Sequence, residues 1–289
     1  MERERWLRLY QQAVEISRGW RFGVRFSVSA IVGVYLWAAL HERPVSWACQ
    51  QMNWSRGCGF SRLPTQSTMS RRLQSAPVQQ LLNLMELAIK EATSPVEESS
   101  TKLIDAKPLP IGGCSKDPDA RWGRATSGFA KGYKFYAIWG KAAVPDTWEI
   151  RSMNEHEQRL AEQMIPRLDT RGRLLGDSIY DSSSLHDLAF QHHLQLLAPR
   201  RRKRKTKRKY KESPHRQIAL AYLEGGGWST FHRERTDIER RFGNWTSFGG
   251  GLAPLPSWVR RLTRVRLWVQ AKLLINADRI VHRQRLASA

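Results

Sequence analysis

The sequence predicts an α/β domain, a mixed five-stranded sheet with flanking helices, preceded by a helical N-terminal domain. Three observations carry this. Over residues 1 to about 95, apolar residues recur at helical spacing. A polar stretch containing a proline, Thr93-Ser-Pro-Val-Glu-Glu-Ser-Ser-Thr101, then breaks the pattern. Beyond it come three strand-like runs, a helix, then strand, helix and strand, an order that makes a mixed sheet. The boundary falls at 95/96. Residues 96–289 form the sheet domain, with a basic insertion around 200–215 and a long C-terminal helix.

Trp6, Leu9, Ala13 and Ile16 share one helical face, as do Leu81, Leu84, Met85 and Ala88. Between them, Pro64 and Thr65 mark a helix start, and the helix that follows carries Ser67, Ser70, Arg71 and Arg72. So short a helix, rich in Ser, Thr, Gln and Arg, reads equally as a DNA recognition helix or as a solvated basic one. Strands follow at Lys102–Pro108, Gly132–Gly140 and Thr147–Met153. Glu155–Ile165 is a helix with Leu160 and Met164 on one face and Pro166 near its end. Arg173–Ile179 is the fourth strand, Ser182–His192 a helix started by a serine run, and Leu194–Ala198 the fifth strand. Helices are expected at Thr230–Trp245 and from Leu255 to about Leu286. On the last, Trp258, Leu262, Val265, Val269 and Leu273 form an apolar stripe beside a basic edge of Arg261, Arg264, Lys272 and Arg279.

The net charge of +22 on 289 residues implies a polyanionic partner. Nucleic acid comes first and an anionic membrane surface second. No span is expected: the longest clean apolar stretch, Val28–Leu40, is too short to cross a bilayer. The N-terminus lacks a secretory pattern. Cys49, Cys58 and Cys114 match no zinc or redox spacing, which fits a reducing cytoplasm. In Arg200–Lys211, ten of twelve residues are Lys or Arg and none is acidic, so close to half the net charge sits there. A phosphate-backbone contact is favoured over a solvated loop or a localisation-like tract, because clustered cations gain from counterion release.

Three acids stand out against this background. Asp105 lies in the apolar run Leu103-Ile-Asp-Ala106, Asp177 in Leu174-Leu-Gly-Asp-Ser-Ile179, and Glu239 in Arg235-Thr-Asp-Ile-Glu-Arg-Arg-Phe-Gly243. At 100° per residue, His232, Arg235, Glu239 and Thr246 share a narrow helical face, beside an apolar face of Ile238, Phe242 and Trp245. Each acid alone has a plain structural role: Arg235 and Glu239 make an i,i+4 surface pair, and either aspartate caps a turn or a strand end. Together, two strand carboxylates and one helix carboxylate are what two-metal phosphoryl transfer needs. There, Mg²⁺ ions about 4 Å apart activate the attacking oxygen and stabilise the leaving one. Mg²⁺ takes hard oxygen ligands, and Mn²⁺ is expected to substitute.

Four blocks bring in a known family. They are Ile104-Asp-Ala-Lys107-Pro-Leu-Pro, Lys131-Gly-Tyr-Lys134-Phe, Leu175-Gly-Asp177-Ser-Ile-Tyr180-Asp181-Ser and Arg235-x-x-Ile-Glu239-Arg-x-Phe-Gly243. In this order the chain resembles the DDE transposases of bacterial insertion sequences, whose catalytic domain is RNase H-like. The resemblance covers about residues 100–250, with Met153-Asn-Glu-His156 similar to the family's connector and Leu63–Leu73 to its N-terminal region. It implies that Asp105, Asp177 and Glu239 are the metal-binding catalytic triad. It also implies an enzyme that cuts DNA at element ends and joins the freed 3′-hydroxyl to target DNA. Two copies acting together on DNA are expected, because two ends are paired, at the nucleoid of a bacterial cytoplasm.

The side chains expected to meet DNA are Lys107, Lys134, His232, Arg235 and Arg240, with Arg71 and Arg72 upstream and Arg201, Arg202, Lys203 and Arg204 in the basic run. Many members carry Tyr-x2-Arg-x3-Glu-x6-Lys around the glutamate. Here His232 stands for the Tyr and Thr246 for the Lys, a departure that bears on end-DNA handling more than on hydrolysis. Tyr180 is expected in the core and Asp181 as a helix cap. The alternative is a catalytically inactive, transposase-derived DNA-binding protein.

Overall fold

The computed structural model describes residues 2–20, 25–55, 60–94, 101–126, 128–201, 212–247, 252 and 254–288, without the side chains at 238, 241, 242, 244–247, 287 and 288. The expected apolar face of Ile238, Phe242 and Trp245, the position of the Thr246 side chain, Cys58, and the cations Arg202, Lys203 and Arg204 lie outside the described residues.

Along the chain run α1 (Glu2–Ile16), α2 (Val28–Leu40), α3 (Val45–Ala48), α4 (Gln66–Arg72) and α5 (Ala76–Thr93). Then come β1 (Thr101–Pro110), β2 (Arg121–Ala125), β3 (Gly128–Trp139), β4 (Thr147–Ser152), α6 (Glu157–Met164), β5 (Gly172–Leu175), α7 (Ser183–Gln191) and β6 (Leu194–Leu197). The last helices are α8 (Pro214–Tyr222), α9 (Trp228–Ser247) and α10 (Leu262–Ser288). Among the described residues no helix is long and apolar enough to cross a membrane.

The chain folds as two compact units, Met1–Thr93 with Ser247–Ala289, and Ser94–Thr246. This differs from the expected sheet domain running to residue 289: α10 belongs with the N-terminal helices. The reason is its apolar surface. Val265, Val269 and Leu273 of the expected stripe are buried, but so are Leu267, Trp268, Ala271 and Leu274, which widen it well beyond one face. A helix apolar on most sides needs a sheath of other helices, and α1, α2 and α5 supply it. Trp258 lies before the helix and is exposed. Of the basic edge, Arg261 and Arg264 are exposed and Arg279 is half-buried, while Lys272 is buried with its Nζ 2.8 Å from Glu42 Oε1. Nearby, Asp278 accepts both prongs of the Arg8 guanidinium at 2.9 and 2.6 Å.

At the centre of this unit α2 is buried from Val28 to Ala39, and Ser27 starts it by accepting from the Ala30 N–H at 3.0 Å. Trp6 of α1 donates to the Gly33 carbonyl at 2.8 Å. The approach is close enough that a Cβ on Gly33 would lie 2.6 Å from the Tyr10 ring. Trp6, Tyr10, Trp37, Trp54 and Phe60 complete an aromatic cluster around that crossing.

In the other unit β1 is central. It pairs antiparallel with β3, Asp105 opposite Ala137, and parallel with β5, Leu103 beside Leu175. β6 adds parallel to β5, and the far edge of β3 carries β4 and, past Gly132, β2. The expected mixed sheet is therefore present, with β2 as a sixth strand. Ile104, Tyr136, Ile138 and Leu174 of the sheet form one core with Leu160 and Met164 of α6 and Leu185 of α7. α8 was not expected from the sequence; Ser213 caps it by accepting from the Arg216 N–H at 3.3 Å, with Pro214 in its first turn.

Candidate active site

The register of β1 and β5 brings the first two acids together. These strands run parallel, and Leu103 pairs with Leu175. Asp105 and Asp177 each stand two residues further on, so they lie level just past the point where the β1–β5 pairing ends, Asp105 midway along β1 and Asp177 two residues beyond β5. Asp105 Oδ1 accepts from the Ala106 N–H at 2.8 Å. Asp177 Oδ1 accepts from the Ile179 N–H at 2.8 Å and caps a single 3₁₀ turn, Ser178–Tyr180. The expected strand Arg173–Ile179 therefore stops at Leu175, and the chain turns under Asp177.

Both carboxyls are held above the ordinary carboxylate range. Burial, chiefly, pushes Asp105 up to about 6, and the charges of Asp177 and Glu157 add to it against the Ala106 N–H and Arg235. Burial also raises Asp177, with Glu157 adding, while the Ile179 N–H and Arg235 pull it back. Both acids thus feel the same cation, Arg235, and the same third carboxylate, Glu157.

Arg235 comes from α9 and is already engaged: its Nε lies 2.6 Å from Glu239 Oε1, with the Glu239 side chain 41% exposed. Among the described residues no three His, Cys, Asp or Glu side chains stand close enough together to hold a metal ion. The structure thus joins Asp105 with Asp177 and gives Glu239 to Arg235. Two hard-oxygen carboxylates, each raised by burial and a neighbouring negative charge, are a donor set suited to a divalent cation. Asp105 and Asp177 fit one, whereas Glu239 would first have to leave Arg235.

Glu157, in the first turn of α6, went unnoticed in the sequence, where it looks like any acid at a helix start. Its Oε1 lies 2.8 Å from Lys134 Nζ, and its Oε2 accepts from the Tyr180 hydroxyl at 3.5 Å. Next to it, Gln158 donates to the Ile179 carbonyl at 2.6 Å, so α6 buttresses the turn that carries Asp177.

The expected DNA contacts divide. Lys134 is 7% exposed and paired with Glu157, so as it stands it reaches no phosphate. Lys107 is half-buried, two residues past Asp105 and hence on the same side of β1. His232 is exposed, edge-on to Trp228 at 4.5 Å, and Arg240 is exposed beside Asp237 at 3.3 Å. Arg71 is exposed and Arg72 half-buried at the end of α4, a helix that Thr65 caps. The Arg201 side chain is exposed, while its N–H donates to Asp181 Oδ2 at 2.7 Å. Tyr180 is buried in the core as expected. Asp181 is not the expected cap, since Ser182 fills that role for α7. Instead Asp181 accepts Arg216 Nε at 2.6 Å and Nη2 at 2.7 Å. It ties together the chain on both sides of the basic run.

Residues 97–269 match the family model described as "Transposase DDE domain", more than half of the chain. Among solved structures, a cryo-EM piggyBac transposase synaptic complex with hairpin DNA is similar at 11% identity and TM-score 0.45, over 99% of this chain and 73% of that one. No curated protein matches the sequence. The chain belongs to the family of transposases with a DDE domain.

Proposed function

We propose that the protein is a DNA transposase that cuts insertion-sequence ends and joins the 3′-hydroxyl strands to target DNA. The observation that carries this is the level placement of Asp105, midway along β1, and Asp177, just beyond β5, with the charge of Arg235 acting on both. Asp105 and Asp177 would hold Mg²⁺, or Mn²⁺ in its place, with Glu239 completing the set once released from Arg235. The bound metal supplies charge neutralisation and an activated oxygen for an in-line displacement at phosphorus. Cutting hydrolyses a phosphodiester, a water oxygen bonding to phosphorus as the 3′-oxygen leaves, and yields a 3′-hydroxyl and a 5′-phosphate; joining forms a new bond from that hydroxyl to a target phosphorus and expels the target's own 3′-oxygen. Arg235, once free of Glu239, would donate to a non-bridging phosphate oxygen. Pairing two element ends calls for two copies on DNA.

A second reading, a catalytically inactive DNA-binding descendant, is favoured by the Arg235–Glu239 pair. One experiment separates them: Mg²⁺- or Mn²⁺-dependent cleavage and joining of labelled DNA carrying the element's ends, wild type beside Asp177→Asn. Joining by the wild type and none by a variant that still binds DNA supports the transposase. Equal binding with no cutting by either supports the inactive protein.

A further inference from the structure

β2 and the first half of β3 form a two-stranded ribbon with an unusual division of side chains. Its cross-strand pairs are Trp122 with Lys131, Gly123 with Ala130, Arg124 with Phe129, and Ala125 with Gly128. Residues directly opposite project to the same side, and successive residues to opposite sides. One face therefore carries Trp122, Lys131, Arg124 and Phe129, and the other only Gly and Ala along these four pairs. The small-residue face is the packed one: a Cβ on Gly123 would lie 2.3 Å from the Met153 carbonyl oxygen, so the ribbon's backbone is pressed against the end of β4. The large face is open, with Trp122 56% and Phe129 78% exposed.

Folding alone gives little reason for two large rings on the solvent side of a short ribbon. The large face carries charge of one sign, Arg124 and Lys131. Between Asp119 and Asp146 the chain has five cations and no acid. Among the described residues, Arg124 has no ion-pair partner.

We propose that this face binds DNA through unpaired bases, with Trp122 and Phe129 stacking on bases and Arg124 on the phosphates that link them. Aromatic rings interleaved with cations are the chemistry of single-stranded nucleic-acid binding: every base offers a ring face, and the backbone offers the charge. The ribbon acts by positioning. At a strand rise of about 3.4 Å per residue, Phe129 lies roughly 27 Å along β3 from Ala137, the residue opposite Asp105. Phe129 and Ala137 also share one side of β3, since eight residues is an even step. The inference rests on the reading of the chain as a DNA-acting protein, and it names where an unpaired strand is held.

The test compares two probes, a blunt duplex and the same duplex with a short 3′ single-stranded tail, by fluorescence anisotropy. The proteins are wild type, Trp122→Ala with Phe129→Ala, and Phe129→Trp. The double variant is expected to lose at least about tenfold in affinity for the tailed probe, as when a base–aromatic stack is removed, and less than twofold for the blunt one. Phe129→Trp, which keeps a stacking ring, should bind the tailed probe like the wild type. Equal losses on both probes, or none, would overturn the proposal. So would a change in oligomeric mass with tailed-DNA binding intact, which would make the face a contact between copies. If the wild type binds neither probe, it is the DNA-acting reading that fails.

Discussion

Replacing Arg216 with Met removes one charge from a buried pair and leaves most of the packing in place. Asp181 is 1% exposed and accepts from Arg216 Nε and Nη2 and from the Arg201 N–H at 2.7 Å, with His186 Nε2 standing 3.5 Å away. Without Arg216 the carboxylate stays buried with only the last two. Breaking a buried pair in this way costs about 3–5 kcal/mol, and the surviving partners place this case at the lower end. At 2–4 °C per kcal/mol for a unit of this size, melting should fall by roughly 6–12 °C. Removing both charges, with Asp181→Asn added, should recover most of that, since no desolvated charge remains.

The pH dependence has a definite sign. Burial alone would push Asp181 up, but His186, Arg216 and the Arg201 N–H outweigh it and hold the carboxyl well below the usual range. A depressed folded pKa stabilises above the unfolded value, about 3.9 for Asp, and that stability is lost as pH falls below it. The gap between wild type and Arg216→Met should therefore be widest at neutral pH and narrow on acidification, as the unpaired carboxyl takes up a proton. Calorimetry from pH 7 down to pH 4 reads both quantities. An unchanged melting temperature at pH 7, or a gap that widens in acid, would refute the argument.

Other outcomes follow from neighbouring features. Glu157→Gln should weaken Mn²⁺ binding by an order of magnitude, about the effect of an outer-sphere change, while Lys134→Met should strengthen it; if isothermal titration shows both weakening, the pair matters only for packing. Gly33→Ala should destabilise the helical unit by about 1–3 kcal/mol through overpacking against Tyr10, and a urea midpoint equal to wild type would contradict the close approach. Replacing the cations of residues 200–211 with Ser should flatten the salt dependence of DNA binding by about 0.9 log unit for each phosphate that is no longer neutralised; an unchanged slope would remove the run from the interface.

Strands with apolar side chains were legible: β1, β3, β4 and β6 fall within a few residues of their expected positions. β2 was not, and its composition explains why. Periodicity detects a strand by large apolar residues on its buried face. The buried face of β2 is Gly123 against the Met153 backbone, and its large residues point outward. The C-terminal helix shows the opposite limit. Its stripe announced that it packs, but an apolar stripe does not say against what. Its partners, α1, α2 and α5, lie far back in the chain, and its ion pairs join positions 270 and 230 residues apart. Asp181 was misjudged for the same reason, because Arg216 lies beyond the basic run.

At the candidate site, Asp105 and Asp177 stand out in the sequence because an acid inside an apolar run is conspicuous, and the register of β1 and β5 brings them level. Glu239 is harder, since the sequence supported both the surface pair with Arg235 and the catalytic role. The structure contains the pair. That does not count strongly against the other role. With Glu239 41% exposed, an i,i+4 pair of this kind contributes at most about 0.5 kcal/mol. Asp105 and Asp177, raised by burial and like charge, have far more to gain from a divalent cation than Glu239 has to lose by leaving Arg235. Arg235 already lowers both aspartates, so without metal it is the cation this cluster relies on. A metal ion would make it redundant there and free it for phosphate. The weak contact at Glu239 is thus the one that can be given up at least cost, as the proposed role requires.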